Sequence, residues 1–423
     1  MYYFCGKYSV WALLAPSLSR RHKLLADAAK EHHSMKATTF LLPLCMLRGA
    51  SAILATRAFP VRPPAVPYPP RCSTARSAVF DEDIAMAPWG EVYSVKRQRA
   101  STLTGSRTCP ALVCIPPVGV GISREFYEPL HRAWAALGAP AELHTPNLLG
   151  CGDAQPKRRQ FYTPEAWAEQ LLTYIKVKVQ KPVIIVAQGG LLPVALEMWK
   201  AAGMDAVVGI SFLSPPPLRF FAPSAEAEPG VRARFSGTPP AAADVRPRRF
   251  KQRAFWLLSL TPVGNLFFRY LRGGGKNMPR VRAFSERNLF ADSANVDEEW
   301  MQMCATGAQD ARSRFSTFAY LCGTIPGGAW RDDRSDLLAS LNVPCQVLRG
   351  DAVEGAADRL AAFVACVPQP SCCGLIAGGR AVLPYEQAEE TANELARFLA
   401  ENFDKDVGRL VRGTSTSETE GSA

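Results

Sequence analysis

Short, largely uncharged apolar runs alternate with longer segments of helical periodicity beyond residue 80. Runs of this kind are typical of strands that are buried on both faces of a parallel sheet. Thr163, Pro164 and Glu165 mark a helix start, because proline at the first helical position loses no hydrogen bond. The alternation predicts an α/β, doubly wound, mostly parallel sheet. The predicted strands lie around 113–115, 141–144, 183–186, 207–213, 346–348 and 374–376, and the predicted helices are 124–137, 164–177, 191–202 and about 385–402.

The alternation stops between about residues 218 and 335, where helical patterns follow one another without a strand. Residues 222–249 are rich in Pro, Ala and Arg and indicate a flexible insertion. The apolar segment 255–271 is interrupted by Pro262 and Gly264, so it is not typical of a transmembrane helix. An all-helical block between two strands of a parallel sheet indicates a cap. The predicted division is a core at 81–217 and 336–405, a helical cap at 218–335 and a disordered tail at 406–423.

The first eighty residues have the composition of a targeting presequence. An apolar stretch at 37–47 precedes small residues at 50–52 and is too short to cross a bilayer, which is typical of a signal peptide at 35–52. Residues 53–80 contain four arginines, many Pro, Ala and Ser and no acid, which is the composition of a transit peptide.

A signal peptide followed by a transit-like segment resembles the bipartite presequence of algae with secondary plastids. Ala50, Ser51 and Ala52 form a small-x-small cleavage pattern. Cleavage after Ala58 is a second possibility, because Ala58, Phe59 and Pro60 resemble the cleavage motif of those presequences. The resemblance implies a plastid protein, and an ordinary secreted protein with a proline-rich linker is the other interpretation. Met35 is the better start for such a signal, so residues 1–34 are expected to be upstream sequence.

The distribution of charge argues against a nucleic-acid-binding protein. The chain has 49 Lys and Arg against 38 Asp and Glu, a net charge of +11. The first eighty residues hold 11 of the basic and two of the acidic groups, which leaves 38 basic and 36 acidic groups in the remainder. A nearly neutral body lacks the positive surface that a phosphate backbone requires.

Cysteines and histidines limit the chemistry further. The 12 cysteines have uneven spacings without a CxxC pair, so neither a zinc site nor a thioredoxin-type site is predicted. Nine follow residue 80, an odd number that argues against a closed disulfide framework, and we interpret them as buried thiols. None of the 5 histidines follows His144, so no mechanism can use a histidine in the C-terminal part of the chain. We predict no metal and no cofactor.

Several segments occur in an order that is found in one fold family. Residues 116–121 follow a strand where that family has a His-Gly oxyanion loop, and residues 146–153 resemble its Pro-Asp-Leu-Leu-Gly-x-Gly loop. Residues 161–172 resemble its Tyr-Thr-x-x-x-Trp-Ala-x-x-Leu helix. Residues 186–190, followed by a helix, occupy its nucleophile elbow. The strand end at 348–351 and the loop at 378–380 complete the match.

Together these segments resemble the α/β-hydrolase fold superfamily, with a helical cap between the sixth and seventh strands. The cap is similar to that of plastid and cyanobacterial members. The resemblance implies the fold, but activity must be argued from the site itself.

The three catalytic positions of the family hold no catalytic group in this sequence. The elbow pattern Gly-x-Ser-x-Gly places Gly189 at the nucleophile. Arg380 stands where the family has its histidine, and a guanidinium stays protonated near neutral pH. The position of the acid falls on Val353, with Asp351 and Glu354 close by. Because an unpaired buried charge is costly, we expect one of these two carboxylates to pair with Arg380. The alternative is that Arg380 points to solvent.

Other polar residues of the sequence are candidates to replace the triad. Cys151, Asp153 and Ser123 are predicted near the strand ends, but none has a histidine partner in the sequence. His144 is predicted to be a core residue of a strand. His131 is predicted on a solvated or packed helix face.

Two functions remain open at this point. The first is a non-hydrolytic plastid protein that binds a small apolar ligand or a partner. The second is an active hydrolase or lyase of the lipid or pigment ester class, in which Gln188, Asp153 or Arg380 polarises the substrate. Gln188 is also open to a purely structural role in the turn. The predicted ligand-binding residues are Val118, Gln188, Gly189, Gly190 and Arg380, and no residue is predicted to be catalytic.

Large apolar side chains crowd one short segment of the cap. We predict that they line an apolar pocket between cap and sheet. They could instead fill the cap's own core, or rest on a membrane surface, which Arg269 and Arg272 would permit. The side chains are Phe255, Trp256, Leu257, Leu260, Leu266, Phe267 and Phe268.

Overall fold

A computed structural model describes residues 79–86, 91–98, 109–154, 157, 162–216, 257, 259–273, 278–321 and 334–403. Within these ranges, eight strands form one sheet in the order β1-β2-β4-β3-β5-β6-β7-β8. The β1–β2 and β2–β4 pairs are antiparallel, and the other pairs are parallel, which confirms the predicted α/β doubly wound sheet. The strands are β1 Val79–Met86, β2 Glu91–Gln98, β3 Ala111–Ile115, β4 Leu143–Pro146, β5 Val183–Gln188, β6 Val207–Leu213, β7 Cys345–Gly350 and β8 Pro370–Ile376.

The six predicted strands correspond to β3 through β8, whereas β1 and β2 were not predicted. The sequence of β1 contains Asp81, Glu82 and Asp83 in a row, so it has no apolar run to mark it as a strand. β1 begins at Val79, two residues before the predicted start of the core. The remainder of the predicted presequence, the insertion at 222–249 and the tail at 406–423 lie outside the described residues.

Helices connect the parallel strands and cover the sheet. The helix after β5 follows a short 3-10 turn, Gly189–Leu191. Thr163 caps the helix after β4, because its side chain accepts a hydrogen bond from the Ala166 amide at 3.3 Å. The helices are α1 Glu128–Ala136, α2 Pro164–Tyr174, α3 Leu192–Ala202, α4 Pro262–Arg272, α5 Pro279–Asn288, α6 Glu298–Gly307, α7 Arg314–Leu321, α8 Arg334–Ala339, α9 Ala356–Val364, α10 Leu383–Glu386 and α11 Ala388–Asn402.

The central strands are buried on both faces, as the apolar runs predicted. Every residue of β3 and of β5 is buried. Leu112 of β3 and Ile184 of β5 belong to one hydrophobic cluster with side chains of α1, α11 and the cap, and α2 and α3 pack against each other. Because side chains alternate along a strand, their neighbours Val113 and Ile185 face the opposite side of the sheet.

In the described part of the chain, five helices, α4 to α8, lie between β6 and β7, as expected of an inserted helical block, and we call α4 to α7 the cap. The cap and the core share the hydrophobic cluster, because Phe268, Met301 and Phe318 of the cap are buried in it. In the described part of the chain, no helix has the length and apolarity needed to cross a membrane.

Candidate functional site

The elbow after β5 has the strand–turn–helix geometry that the sequence predicted. Gln188 ends the strand in extended conformation, Gly189 follows with a φ of +54°, and α3 begins at Leu192. A positive φ is readily adopted by glycine and is strained for most other residues. The turn residue Gly189 is buried and has no side chain.

Gln188 links the elbow to the loop that follows β8. Its side chain is only 2% exposed, and its Nε2 donates a hydrogen bond to the carbonyl of Ala381. Its Oε1 is buried and has no hydrogen-bond partner among the residues that the structure describes. The amide nitrogen thus has a structural role, and the amide oxygen is an acceptor that a bound donor would satisfy.

Arg380 lies in that same loop and contacts the cap. Its guanidinium donates hydrogen bonds to the carbonyls of Arg287 and Phe290, at 2.7 and 3.2 Å, beside the C-terminal end of α5. The carbonyls at the C-terminal end of a helix have no partner within the helix and carry partial negative charge, so they suit a cation. A permanently protonated group in this position binds the cap to the core and cannot accept a proton.

The expected pairing of Arg380 with Asp351 or Glu354 is wrong. Within the described residues, the guanidinium forms no ion pair with either side chain. The carboxylate of Asp351 instead accepts a hydrogen bond from the Gly378 amide at 2.8 Å. The Asp351 carboxylate therefore binds the backbone of the loop after β8. Arg380 needs no carboxylate partner, because two carbonyls of the cap accept its hydrogen bonds.

The oxyanion-type loop at 116–121 is covered by the cap. Gly121 has a φ of +79°, and a Cβ placed on it would lie 1.9 Å from the carbonyl oxygen of Cys304. A Cβ on Gly307 would likewise lie 2.2 Å from the Gly121 carbonyl oxygen. Thr317 of α7 donates a hydrogen bond to the carbonyl of Gly119 at 3.2 Å. Backbone therefore meets backbone where this loop and α6 touch.

The loop after β4 is also bound by the cap. Ser316 of α7 donates a hydrogen bond to the carbonyl of Gly150 at 2.8 Å. Cys151 is buried, and Asp153 is exposed and accepts a hydrogen bond from Asn147. Ser123 donates a hydrogen bond to Glu125. The described hydrogen bonds thus give Asp153 and Ser123 local partners, and neither partner is a histidine.

Aromatic side chains fill the space between cap and core beside these loops. Phe126 follows the oxyanion-type loop, Tyr385 follows the Arg380 loop, and Phe290 and Trp300 come from the cap. Their ring centroids are 4.9 to 6.4 Å apart in the contacting pairs, and all four side chains are buried. The Trp300 indole donates a hydrogen bond to Ser285 at 3.0 Å. This cluster closes one side of the site with side chains of the protein itself.

The cap side chains predicted to line an apolar pocket have different environments. Phe268 is fully buried, and Phe267 is partly buried against the same core. Leu257 and Leu266 are exposed, which does not fit a pocket lining for these two residues. Leu260 is partly buried. Phe255 and Trp256 lie outside the described residues.

Both described histidines are buried parts of the core, which agrees with the expectation for His144 and with the packed-face alternative for His131. The ring nitrogens of His131 lie 3.0 Å from the Gln98 amide and 3.0 Å from Thr145 Oγ1. Burial lowers the pKa of each imidazole, so both side chains are neutral near pH 7.

A carboxylate–imidazole–hydroxyl chain, which was not predicted from the sequence, joins Glu142, just before β4, to His144 of β4 and Tyr174 of α2. His144 Nε2 lies 3.1 Å from Glu142 Oε2, and His144 Nδ1 lies 2.6 Å from the Tyr174 hydroxyl. The carboxylate can only accept, so Nε2 carries the proton and the phenol donates to Nδ1. The i, i+2 spacing of Glu142 and His144, which places both side chains on one side of an extended backbone, was the available signal. Both His144 and Tyr174 are fully buried, so the chain is a structural network.

No protein-family model matches this chain, and no curated protein matches it either. Solved structures do match in fold. A haloalkane dehalogenase loop variant from Bradyrhizobium elkanii matches with a TM-score of 0.52 and 17% identity, over 80% of this chain and 99% of that one. A thermophilic esterase from Thermogutta terrifontis matches with a TM-score of 0.50 and 17% identity, over 76% of this chain and 98% of the esterase.

The Cif epoxide hydrolase from Acinetobacter nosocomialis has a TM-score of 0.50 and 16% identity, over 77% of this chain and 90% of that one. Identities this low show the fold and not the activity. The strand order, the elbow after β5, the cap between β6 and β7 and these three likenesses agree. The chain has the α/β-hydrolase fold.

Proposed function

We propose that this protein works by binding a small apolar ligand or a partner and not by hydrolysis. The observation that carries the proposal is the state of the three catalytic positions. Gly189 offers no nucleophile, and Arg380 is a permanent cation whose guanidinium is bonded to cap carbonyls. Asp351 uses its carboxylate to hold the Gly378 amide. A Ser-His-acid mechanism needs all three roles, and none is filled.

The site retains features that suit a ligand even without a nucleophile. The elbow places the backbone of Gly189 and Gly190 at the start of α3, close to Val118 in the arrangement expected of the fold. Gln188 adds a buried oxygen that has no partner among the described residues. A ligand with an apolar body and one hydrogen-bond donor would satisfy that oxygen.

Labelling with a fluorophosphonate tests the absence of catalysis. The protein is expected to take up no probe and to show no ester hydrolysis above a heat-denatured control, because position 189 lacks a hydroxyl. Gly189→Ser is expected to stay unlabelled as well, since no base stands at position 380. Stoichiometric labelling of any serine in residues 110–217 of the unaltered protein would overturn the proposal.

Ligand binding is tested by thermal unfolding with a panel of fatty acids, monoacylglycerols and isoprenoid alcohols. A ligand present at about a hundredfold excess over its Kd stabilises the native state by about 3 kcal/mol, which is a clear rise in Tm. Failure of every apolar ligand to raise the Tm would contradict binding of a small molecule and leave only the binding of a partner.

We also propose that the protein is imported into a plastid. The support is the composition of residues 35–80, in which an apolar segment precedes an acid-free stretch with four arginines. Residues 35–80 fused to a fluorescent reporter are expected to direct it to the plastid of an alga with secondary plastids. A reporter that stays in the secretory pathway would contradict plastid import and favour the secreted alternative.

A further inference from the structure

Helix α4 of the cap and Leu257, which precedes it in the chain, expose four large apolar side chains. Val263, Leu266 and Tyr270 have the i, i+3, i+7 spacing that places residues on one side of a helix, here α4. Leu257 precedes them, and the four side chains are between 38% and 62% exposed. We call these four residues the cap face. Phe268 of α4 is fully buried. Helix α4 therefore has one apolar side that packs against the core and another apolar side that faces outward.

The surroundings of the cap face are basic. Arg269 is exposed on α4, and Arg280 lies over the ring of Tyr270 at 3.9 Å. Arg272 donates a hydrogen bond to the Ala308 carbonyl at 3.0 Å, so it is held beside the same helix.

Along the sequence, basic residues are concentrated in the segment that contains α4. Residues 245–285 contain ten Lys and Arg and no Asp or Glu, whereas the rest of 81–423 contains 28 basic and 36 acidic groups. The part of the chain that carries the cap face is therefore strongly positive, although the folded body as a whole is nearly neutral.

We propose that the cap face binds the surface of an anionic phospholipid bilayer. An amphipathic helix lies in the membrane interface when apolar side chains enter the acyl boundary and flanking cations meet lipid phosphates. Val263 and Leu266 supply the apolar contact, and Arg269 and Arg280 supply the cations at its border. Two copies of this face would bring like charges together, which disfavours self-association through it.

Binding of the full chain to vesicles by co-sedimentation tests the proposal. The protein is expected to sediment with phosphatidylcholine vesicles that contain phosphatidylglycerol and to bind pure phosphatidylcholine more weakly. Arg269→Gln is expected to lower the partition coefficient on the anionic vesicles about fivefold, as one basic group at such a surface contributes. The same variant is expected to leave binding to phosphatidylcholine unchanged, because that lipid has no net charge.

Two valines of equal exposure give a matched pair for the apolar contact. Val263 on the cap face and Val177 outside it are both 57% exposed. Val263→Glu is expected to lower binding to anionic vesicles at least about tenfold, because it loses apolar burial and adds a like charge to the lipid. Val177→Glu is expected to bind like the unaltered protein, and equal Tm values for the two variants show that both fold.

Three outcomes would overturn the proposal. The first is that the unaltered protein does not sediment with anionic vesicles at low salt. The second is an equal loss of binding in Val263→Glu and Val177→Glu, which would show a general charge effect. The third is a dimer of the unaltered protein in lipid-free buffer that Val263→Glu converts to a monomer, which would assign the face to a second copy.

Discussion

Replacing Gly121 by alanine is expected to lower the free energy of unfolding by about 2–4 kcal/mol. The φ of +79° costs an L-residue about 1 kcal/mol. The new Cβ would also lie 1.9 Å from the Cys304 carbonyl oxygen and 2.9 Å from the Ala308 amide nitrogen. Overlap with backbone that cannot rotate away adds about 1–3 kcal/mol. Denaturant unfolding measures the loss directly.

Gly138 provides a matched control for the backbone conformation. Its φ is also +79°, but a Cβ placed on it would meet nothing within 4 Å. Gly138→Ala is therefore expected to cost only about 1 kcal/mol, the conformational part of the effect. The difference between the two variants measures the contact between the oxyanion-type loop and α6.

The same contact predicts a local effect on the cap. Gly121→Ala is expected to speed amide hydrogen exchange in α6, because the helix must move away from residues 116–121. Equal unfolding free energies for Gly121→Ala and Gly138→Ala, with unchanged exchange in α6, would show that the cap does not press on the loop.

Neutralising Glu142 is expected to have the second largest effect, a loss of about 2 kcal/mol at neutral pH for Glu142→Gln. The carboxylate accepts from His144 and lies 3.3 Å from both the Arg97 guanidinium and the Lys181 ammonium. The variant keeps an acceptor for His144 but leaves the two cations without their counter-charge. Chemical denaturation at pH 7 measures the loss.

The free energy of unfolding of Glu142→Gln is also expected to fall less steeply than that of the unaltered protein as the pH is lowered. The hydrogen bond from His144 and the charges of Lys181 and Arg97 lower the pKa of Glu142 from 4.5 to about 2, against the effect of burial. A lowered pKa means that the carboxylate stabilises the fold above pH 4.5 and that this contribution is lost as the pH falls towards 2. Glu142→Gln has no such contribution to lose in that interval.

Glu394 is a suitable control because its environment raises the pKa of the carboxyl group, whereas that of Glu142 lowers it. Its side chain is 16% exposed, close to the 19% of Glu142, and it pairs with Arg397. Burial raises the pKa of Glu394, so its charged form is disfavoured in the folded protein. Glu394→Gln is expected to leave the free energy of unfolding at pH 7 nearly unchanged. An acid profile of Glu142→Gln that matches the unaltered protein would contradict the role assigned to the network.

The sheet was predictable because its central strands are buried on both faces. Such strands are marked by local apolar runs, and β3 through β8 were all identified from them. β1 lies at the edge of the sheet and carries Asp81, Glu82 and Asp83, so its pairing with β2 leaves little signal in its own sequence. An edge strand forms because it pairs with a neighbouring strand, and a local sequence pattern does not show that neighbour.

At the candidate site, the sequence decides only the chemistry that follows from the identity of a residue. Gly189 cannot be a nucleophile in any fold, and Arg380 cannot be a general base near neutral pH. The partner of Arg380 was not predictable, since the carbonyls of Arg287 and Phe290 are about ninety positions away in the chain. A carboxylate was the expected partner from charge alone, but helix geometry supplied a different acceptor.

By itself, the sequence determined the strand–helix alternation, the all-helical block between two strands, and the identities of Gly189 and Arg380 after β5 and β8. These follow from side-chain identity and from periodicities that repeat within a few residues. Only the tertiary structure decided that the backbones of Gly121 and Gly307 meet, that Glu142 and Tyr174 hold His144, and that α4 turns an apolar side outward. Each of these depends on which distant segments touch, and contacts between distant segments are set by packing of the whole fold rather than by any local pattern.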